Sequence, residues 1–315
     1  MVRTLASRPR HAASLAEWTE ADYEALFDRA AWLEAQPRDV VSRMAPGLLV
    51  GTAFYQNSTR TRLSFEAAAH RIGGSAIGFA DVTTTRAGDF YRETLDDTVR
   101  VLGCYVDVLV LRHTDDDAAR QALQVSPVPV ISAGTGEREH PTQVMLDLWT
   151  IRRELGTLRG AAIGYLGDPG CRVARSLVYA LRAFGAEGLV FLAPDDATLP
   201  EDVADLIDES GLSRRHVETS EELLRVSDAV CAIPFELSDF HRGAVRDHGR
   251  GEALDERFVL SPRLLRTVGA DVPVTHTGPR GPELPPETDD LPNTHYFDGV
   301  RRSVTLRAAL LSQLA

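Results

Sequence analysis

Apolar runs that favour β-strands alternate with helical patterns along the whole chain. Four runs typical of buried strands fall in the first half, at residues 47–55, 74–80, 106–113 and 127–134. Four more fall in the second half, at residues 160–168, 188–194, 227–235 and 272–278. Continuous apolar strands that alternate with helices are typical of parallel sheets. We therefore predict an α/β protein with two doubly wound parallel-sheet domains joined by long helices.

Two amphipathic segments organise these strands into domains. The segment HPTQVMLDLWTIRREL at residues 140–155 predicts a long helix between the two sets of strands. The segment SVTLRAALLSQL near the end predicts a last helix that docks back on the first half. We place one domain at residues 1–140 with a C-terminal helix at 296–315, and the other at 141–295. Residues 277–293 are rich in Pro and Gly, and we interpret them as an ordered loop.

The sequence STRTR, from Ser58 to Arg62, lies where a helix begins after the first strand. Apolar residues recur at helical spacing beyond it, so Ser58 is the predicted N-cap and the next amides are first-turn donors. Free amides, a positive dipole end, hydroxyls and a guanidinium are groups that bind phosphate or another anion. Taken alone, the segment is equally consistent with an ordinary cap beside a solvated arginine pair.

Polar clusters follow other strands at the ends where parallel sheets bind ligands. Arg112 and His113 end the third strand, and GTGEREHPTQ follows the fourth at residues 134–143. GDPGCR follows the fifth strand at residues 167–172, and HTGPR follows the last at residues 276–280. Five clusters at equivalent strand ends favour an anion site over an ordinary cap at STRTR.

Composition narrows the chemistry that these clusters can perform. The sequence contains no lysine, so all 34 of its Lys+Arg residues are arginines. This excludes mechanisms that depend on lysine, including Schiff bases and P-loops. The net charge of −12 argues against general nucleic-acid binding, so the local arginines suit a small anionic ligand.

Cysteine spacing and hydropathy indicate the compartment. Cys104, Cys171 and Cys231 are widely spaced and form no CxxC, which favours reduced thiols over a disulfide frame or a zinc site. No apolar run approaches the length of a membrane span, and the first residues lack the apolar core of a signal peptide. We expect a cytoplasmic protein that binds neither nucleic acid nor membrane.

Several of these motifs occur in a family-specific order. STRTRLSFE, LRH, HPTQ followed by LDLWTI, and an H-x-x-P-R loop succeed one another along the chain. This order resembles the aspartate and ornithine carbamoyltransferases from about residue 15 to the end, and the aspartate branch is more similar. The resemblance implies that the first domain binds carbamoyl phosphate and the second an amino-acid acceptor. It also implies a homotrimer with active sites shared between subunits.

The resemblance implies a role for each matched residue of the STRTR segment. The phosphate of carbamoyl phosphate would be held by Ser58, Thr59, Arg60 and Thr61. Arg60 would also be catalytic, because it neutralises charge as the leaving group forms.

The resemblance assigns the carbamoyl group to three further residues. Arg112 and His140 would donate to the carbonyl oxygen as it becomes negative, and Gln143 would accept from the carbamoyl NH2. The departing phosphate can take the amine proton, so we expect no metal, no cofactor and no dedicated protein base. His113 has no matched role, and we interpret it as scaffold.

The chain departs from the family in the loop that one subunit lends to its neighbour. The aspartate enzymes carry a lysine just before G-E-T-L, and here Tyr91 occupies that place in TTTRAGDFYRETLDDT at residues 83–98. Arg86 or Arg92 can replace the missing charge, although arginine is bulkier and forked. The alternative for either arginine is that it is a surface residue.

A second departure concerns the acceptor. Arg172 matches an arginine that contacts a substrate carboxylate, but the family's R-x-Q loop is replaced by Pro234 and Glu236. Loss of an arginine and gain of a carboxylate is a swing of about two charge units beside a small ligand. The H-P-L-P-R loop is also altered, and Gly278 next to Pro279 leaves more room beside the acceptor.

These departures predict a carbamoyltransferase whose acceptor is neither aspartate nor ornithine. The retained Arg172 and the added Glu236 suit an acceptor with one carboxylate and one amino group, such as a 2,3-diaminopropionate-like compound of specialised metabolism. We therefore expect aspartate to be a poor acceptor. Two alternatives remain open. One is a divergent aspartate carbamoyltransferase of pyrimidine synthesis, and the other is a non-catalytic carbamoyl-phosphate-binding or regulatory subunit.

Overall fold

A computed structural model describes residues 11–86, 93–195, 197–235 and 254–314 of the chain. These residues fall into two units, and the chain crosses from one to the other between Thr142 and Gln143 and returns between Gly299 and Val300. Each unit contains one parallel sheet with helices in its connections. The predicted α/β class, with two doubly wound parallel sheets, is confirmed.

In the first unit, strands alternate with helices after an N-terminal helix pair. The helices are α1 (Glu20–Ala35), α2 (Arg38–Val41), α3 (Thr59–Arg71), α4 (Leu95–Gly103) and α5 (Ala118–Val125). The strands are β1 (Leu49–Phe54), β2 (Ser75–Phe79), β3 (Val108–His113) and β4 (Val130–Thr135). The sheet order is β2-β1-β3-β4, and every pairing is parallel. The carboxyl ends of β1, β3 and β4 therefore lie side by side.

The second unit has the same alternation. Its strands are β5 (Ala162–Leu166), β6 (Gly188–Leu192), β7 (Ser213–His216), β8 (Ala229–Ala232) and β9 (Val274–His276). Its helices are α6 (Pro141–Leu155), α7 (Arg172–Phe184), α8 (Glu201–Glu209), α9 (Ser220–Val226) and α10 (Pro262–Thr267). The last helix, α11 (Tyr296–Leu314), begins in this unit and belongs to the first unit from Val300 onward. The sheet order is β7-β6-β5-β8-β9, again all parallel. Both α6 and α11 extend across a boundary between the units.

Each sheet has its own apolar core, as the continuous apolar strands predict. In the first unit, Leu109, Leu111 and Val130 are fully buried in one cluster. In the second unit, Leu166 and Val230 are fully buried in another. No disulfide links the three cysteines, all of which lie in the described segments. The cores therefore hold the strands in place, and the side chains at the strand ends can serve a ligand.

The last helix, α11, is anchored to the first unit near its C-terminal end. Arg307 is buried, donates to the Ser64 hydroxyl, and places its guanidinium 5.1 Å from the centre of the Phe65 ring. The Gln313 side chain donates to the Ala25 carbonyl oxygen at 3.2 Å. α11 thus contacts α3, the helix that begins at STRTR. Among the described helices, neither α11 nor any other has the length and hydropathy to cross a membrane.

The prediction missed one strand, β7, in the second half. Its sequence is SRRH, and all four residues are exposed. Among the strands that the structure describes, it pairs with β6 alone, at the edge of the sheet. A hydrophobic pattern cannot reveal such a strand, because its residues bury no apolar surface. The pairing instead depends on Gly188, where an added Cβ would lie 2.0 Å from the Ser213 carbonyl oxygen.

Candidate active site

The start of α3 supplies donors for an anion. The helix begins at Thr59, and the predicted N-cap at Ser58 is confirmed by the extended backbone there. Within the described part of the chain, the Ser58 hydroxyl makes no capping bond and the first turn holds no acidic residue. The first-turn amides and the dipole therefore present uncompensated positive charge after β1.

The two arginines of STRTR have different surroundings. Arg60 is exposed on the first turn, whereas Arg62 donates from Nε to Oε1 of Glu66 at 2.7 Å. Thr59 is exposed and Thr61 is buried. Of the two guanidinium groups, only the one on Arg62 is held by an acidic side chain of its own helix.

Arg112 and His140 are brought together at the ends of neighbouring strands. Arg112 pairs with Phe54 in the β1–β3 register, and its side chain is 9% exposed. Its Nη1 donates to the Ala133 carbonyl oxygen at 2.9 Å and lies 3.5 Å from Nε2 of His140, which is 7% exposed. Two buried nitrogen-bearing side chains therefore converge beside the loop that leads into α3.

The loop that carries His140 is held by two features that sequence reasoning missed. Gly136 has a φ of 46° and an added Cβ would lie 1.8 Å from Oδ1 of Asp116, so the tight approach requires glycine. The buried Glu139 accepts from the Ser14 hydroxyl at 2.6 Å and from the Leu15 amide at 2.9 Å. These bonds span more than 120 residues of sequence, so no local pattern signals them.

His113 is built into the scaffold of this strand end. Its Nδ1 accepts from the Asp115 amide at 2.9 Å, and its ring centre lies 4.5 Å from that of Tyr55. Burial lowers the pKa of His113, which keeps the ring neutral and able to accept this bond. Of the two loop arginines predicted to serve a neighbouring subunit, Arg86 is exposed and Arg92 lies outside the described residues.

Gln143, on the first turn of α6, is bound to a partner that the sequence analysis did not identify. Its Nε2 donates to Oδ1 of Asp147 at 3.1 Å and to Oδ2 at 3.2 Å. Both side chains are buried, at 9% and 4% exposure. The spacing of four residues on a helix could have indicated this pair, but only the structure gives the direction in which the amide points.

The residues predicted for the acceptor follow three neighbouring strands of the second sheet. Arg172 is the first residue of α7, follows β5 and is 5% exposed. Pro234 is buried two residues after β8, and Gly278 and Pro279 follow β9. Because the order is β5-β8-β9 and all pairings are parallel, these residues lie at one edge of the sheet. Glu236 lies outside the described residues.

The loop with Gly278 and Pro279 is pinned by a buried pair, His276 and Glu283, whose side chains are fully buried. Nδ1 of His276 accepts from the Gly278 amide at 2.8 Å, so the neutral ring carries its proton on Nε2 and donates to Glu283 at 2.8 Å. Burial raises the pKa of Glu283, but the bonds from His276 and the Gly281 amide outweigh it and lower the pKa overall. Glu283 was not predicted.

Gly278 also has a conformational reason that the sequence analysis did not give. Its φ is 66°, in the left-handed region that favours glycine, and the following peptide bond to Pro279 is cis. The positive φ by itself explains why residue 278 is a glycine, so a need for more room beside the acceptor is not required as a reason. The loop shape alone accounts for it.

Comparison with known proteins identifies the family. The family model for the carbamoyl-P binding domain of aspartate/ornithine carbamoyltransferase matches residues 10–153, and the model for the Asp/Orn binding domain matches residues 159–314. This chain therefore belongs to the aspartate/ornithine carbamoyltransferase family and is a carbamoyltransferase. The predicted family resemblance, including the aspartate branch, is confirmed.

Individual relatives agree with this assignment. The aspartate carbamoyltransferase catalytic subunit of Chromobacterium violaceum is 34% identical and covers 96% of this chain and 97% of its own. That of Methanocella arvoryzae is 36% identical and covers 96% of each. Aspartate transcarbamoylase from Trypanosoma cruzi, solved in complex with carbamoyl phosphate, is 30% identical with a TM-score of 0.85 and covers 100% of this chain and 98% of its own.

These names bear on the acceptor. All three relatives are named for aspartate, which favours the aspartate alternative over the non-aspartate acceptor predicted from Pro234 and Glu236. The names of the two curated relatives as catalytic subunits, together with the two family models, also disfavour the non-catalytic alternative. The altered acceptor site itself stays a prediction.

Proposed function

We propose that this chain transfers the carbamoyl group of carbamoyl phosphate to the amino group of L-aspartate. The binding of carbamoyl phosphate is supported by the buried pair of Arg112 and His140, with 3.5 Å between Nη1 and Nε2. Arg112 lies at the end of β3, next to the strand β1 that leads into α3, and His140 lies in the loop after β4. A phosphate at a helix start and a carbonyl oxygen at such a pair are the two parts of carbamoyl phosphate. The proposal that L-aspartate is the acceptor is supported by the names of the relatives, all of which refer to aspartate.

In this proposal the start of α3 binds the phosphate. Amides and hydroxyls of Ser58, Thr59 and Thr61 donate to phosphate oxygens, and Arg60 adds a charge-assisted bond. Negative charge grows on the leaving phosphate as its bond to carbon breaks. The positive end of α3 and Arg60 are in place before the reaction, so they stabilise this charge without reorganising.

The carbamoyl group is activated at its oxygen and oriented at its nitrogen. Arg112 and His140 donate to the carbonyl oxygen, which becomes negative when the acceptor amine attacks the carbon. Gln143 accepts from the carbamoyl NH2 and so orients the group. The phosphate leaves with the electron pair of the broken bond and can take the proton from the amine. No protein base is required by this route.

The acceptor is bound through its carboxylate. Arg172, buried at the start of α7, pairs with the α-carboxylate of an amino acid. Gly278 and Pro279 form the loop at the same sheet edge, held by the pair of His276 and Glu283. This arrangement suits an amino-acid acceptor whichever side chain it carries.

A second candidate acceptor is a 2,3-diaminopropionate-like amino acid. The observation that favours it is the buried Pro234 after β8, at the place where aspartate enzymes carry an arginine. Proline can donate from neither its side chain nor its backbone, so it cannot pair with the second carboxylate of aspartate. Glu236 would add attraction for a second amino group.

An acceptor panel tests the two candidates. We expect kcat/KM for L-aspartate to exceed that for 2,3-diaminopropionate and for L-ornithine by at least about 100-fold. The side chain of aspartate ends in a carboxylate, whereas those of the other two acceptors end in an ammonium. Protein groups that pair with one of these charges repel the other, and placing the wrong charge there costs a few kcal/mol of binding free energy. The measurement is the initial rate of phosphate release from carbamoyl phosphate at several concentrations of each acceptor.

The variant Arg172→Gln provides the control, because both candidates share an α-carboxylate. Its activity should fall with either acceptor if Arg172 binds that group. A preference for 2,3-diaminopropionate would overturn the aspartate proposal and support the acceptor predicted from the sequence. Turnover with ornithine alone would contradict both candidates.

We also propose that the chain assembles as a homotrimer in which residues 83–92 of one subunit complete the site of the next. Mixing Arg60→Ala chains with chains that carry Arg86→Ala and Arg92→Ala, after mild dissociation, is expected to restore part of the activity. Some sites in mixed trimers combine an intact loop with an intact Arg60. Sedimentation gives the oligomer size. A fully active monomer, or no recovery on mixing, would rule out the shared site.

A further inference from the structure

We infer that Asp147 is a positioning residue, which sets the direction of the Gln143 amide and thereby lets the site recognise the carbamoyl NH2. The inference rests on the proposed function, because it concerns the group that Gln143 contacts in carbamoyl phosphate. It adds a residue whose role acts through Gln143, without contact to the reacting atoms.

The geometry of the pair supports one orientation of the amide. Asp147 lies one helical turn after Gln143 on α6, and both of its oxygens lie within 3.2 Å of Nε2 of Gln143. An ionised carboxylate can only accept hydrogen bonds. The NH2 end of the Gln143 amide is therefore held by Asp147, and its Oε1 is directed away from that carboxylate.

This orientation decides what Gln143 can bind. The oxygen and nitrogen ends of a glutamine amide have nearly the same shape, so shape alone does not select between them. A reversed amide would set its own NH2 against the carbamoyl NH2, and two donors would face each other. With Oε1 presented instead, Gln143 accepts from the carbamoyl NH2 and discriminates against groups that cannot donate.

Asp147 is buried, and the neighbouring Cys231 thiol does not compete with it as an acceptor. The side chain is 4% exposed, and buried polar groups that lose a partner are costly. Burial and then the negative charge of Asp147 raise the pKa of the Cys231 thiol, so the thiol on β8 stays neutral. Cys231 accepts from the Thr275 hydroxyl at 3.6 Å. A neutral thiol leaves the carboxylate as the strong acceptor at this place.

Asp147→Asn is the variant that isolates orientation. Asparagine has nearly the same size as aspartate, but it can either donate or accept, so it no longer selects one direction of the Gln143 amide. Asp147→Ala removes the acceptor altogether and serves as a second variant. Thermal unfolding of each variant shows whether it is folded before ligand binding is compared.

Two phosphonates serve as matched probes. Phosphonoacetamide keeps the amide of carbamoyl phosphate and replaces the bridging oxygen by CH2, which prevents its breakdown. Acetonylphosphonate is the same molecule with CH3 in place of NH2. The ratio of their dissociation constants, measured by titration calorimetry, reports recognition of the NH2 group and needs no acceptor.

A double-mutant cycle between Asp147 and Gln143 measures whether Asp147 acts through Gln143. The natural chain should bind phosphonoacetamide at least about tenfold more tightly than acetonylphosphonate, and Asp147→Asn should remove most of that preference. The dissociation constant of acetonylphosphonate should change by less than about twofold. In a Gln143→Ala background, Asp147→Asn should have no further effect on the ratio, because its role acts through Gln143.

Different failures have different meanings. An unchanged ratio in both Asp147 variants, an equal loss for both phosphonates, or additive effects in the double variant would overturn the positioning role and leave the proposed function standing. If the natural chain binds neither phosphonate, the proposed donor site is wrong and the inference fails with it.

Discussion

Arg60→Ala is expected to lower kcat/KM for carbamoyl phosphate by at least about 100-fold, while the protein stays folded. Arg60 is exposed on the first turn of α3, so its removal leaves no buried cavity. The variant loses the guanidinium that would stabilise the dianionic phosphate as it departs. Initial rates at saturating acceptor, together with a thermal unfolding curve, measure the two parts of this prediction.

Arg62→Ala is the matched control, since it removes the same group from the same helical turn. Arg62 is paired with Glu66 four residues later on α3, and both side chains are partly buried. A pair at this helical spacing contributes about 0.5 kcal/mol or less to the stability of an isolated helix. Its kcat/KM should stay close to that of the natural chain. Near-normal turnover by Arg60→Ala would contradict the assignment of STRTR to the phosphate. Equal losses in both variants would mean that general charge, and not Arg60, matters.

Arg112→Gln is expected to lower kcat by about 100-fold to 1,000-fold, the usual effect of losing one donor to a developing oxyanion. Arg112 is buried and directed to Ala133 and His140, and in the proposed function its charge would act at the carbonyl end and not the phosphate end of the substrate. Binding of inorganic phosphate should therefore change little. Comparing kcat with the dissociation constant of phosphate separates the two ends.

The neighbouring His113→Asn serves as the control for Arg112. Asparagine can still accept from the Asp115 amide, as His113 does, and the position has no assigned role in the reaction. Its kcat should remain near that of the natural chain. If Arg112→Gln weakened phosphate binding as much as it lowered kcat, the assignment of Arg112 to the carbonyl oxygen would be wrong. The variant Arg112→Lys keeps the positive charge. It shows whether a loss of phosphate binding in Arg112→Gln comes from the missing charge or from local unfolding.

Most of the fold was predictable because parallel sheets bury both faces of their strands. β1, β3, β5, β6, β8 and β9 each lie within a predicted apolar run, and β4 extends one residue beyond its run at 127–134. β2 lies within residues 74–80, but the prediction that it is buried was wrong, because its residues are exposed or half-buried. The exception, β7, is an exposed edge strand, whose pairing depends on backbone bonds to β6. Backbone pairing leaves no signal in side-chain hydropathy, so this strand could not be predicted.

The sequence predicted which residues of the candidate site lie at the carboxyl ends of the strands. Ser58, Arg112, His140, Arg172 and Gly278 all follow or end parallel strands, where a parallel sheet collects ligands. Their partners were not predictable. Glu139 reaches Ser14 and Leu15, and Arg307 reaches Ser64, across separations that no local pattern can span.

The sequence alone determined the α/β class, the helix start at Ser58, the absence of lysine chemistry and the family, because periodicity, capping and motif order are local properties of the chain. Only the tertiary structure decided which groups meet. It brought Arg112 to His140, turned the Gln143 amide toward Asp147 and pinned the Gly278 loop with His276 and Glu283. Such contacts depend on the direction and burial of side chains, which strand register and helix packing set after the chain has folded.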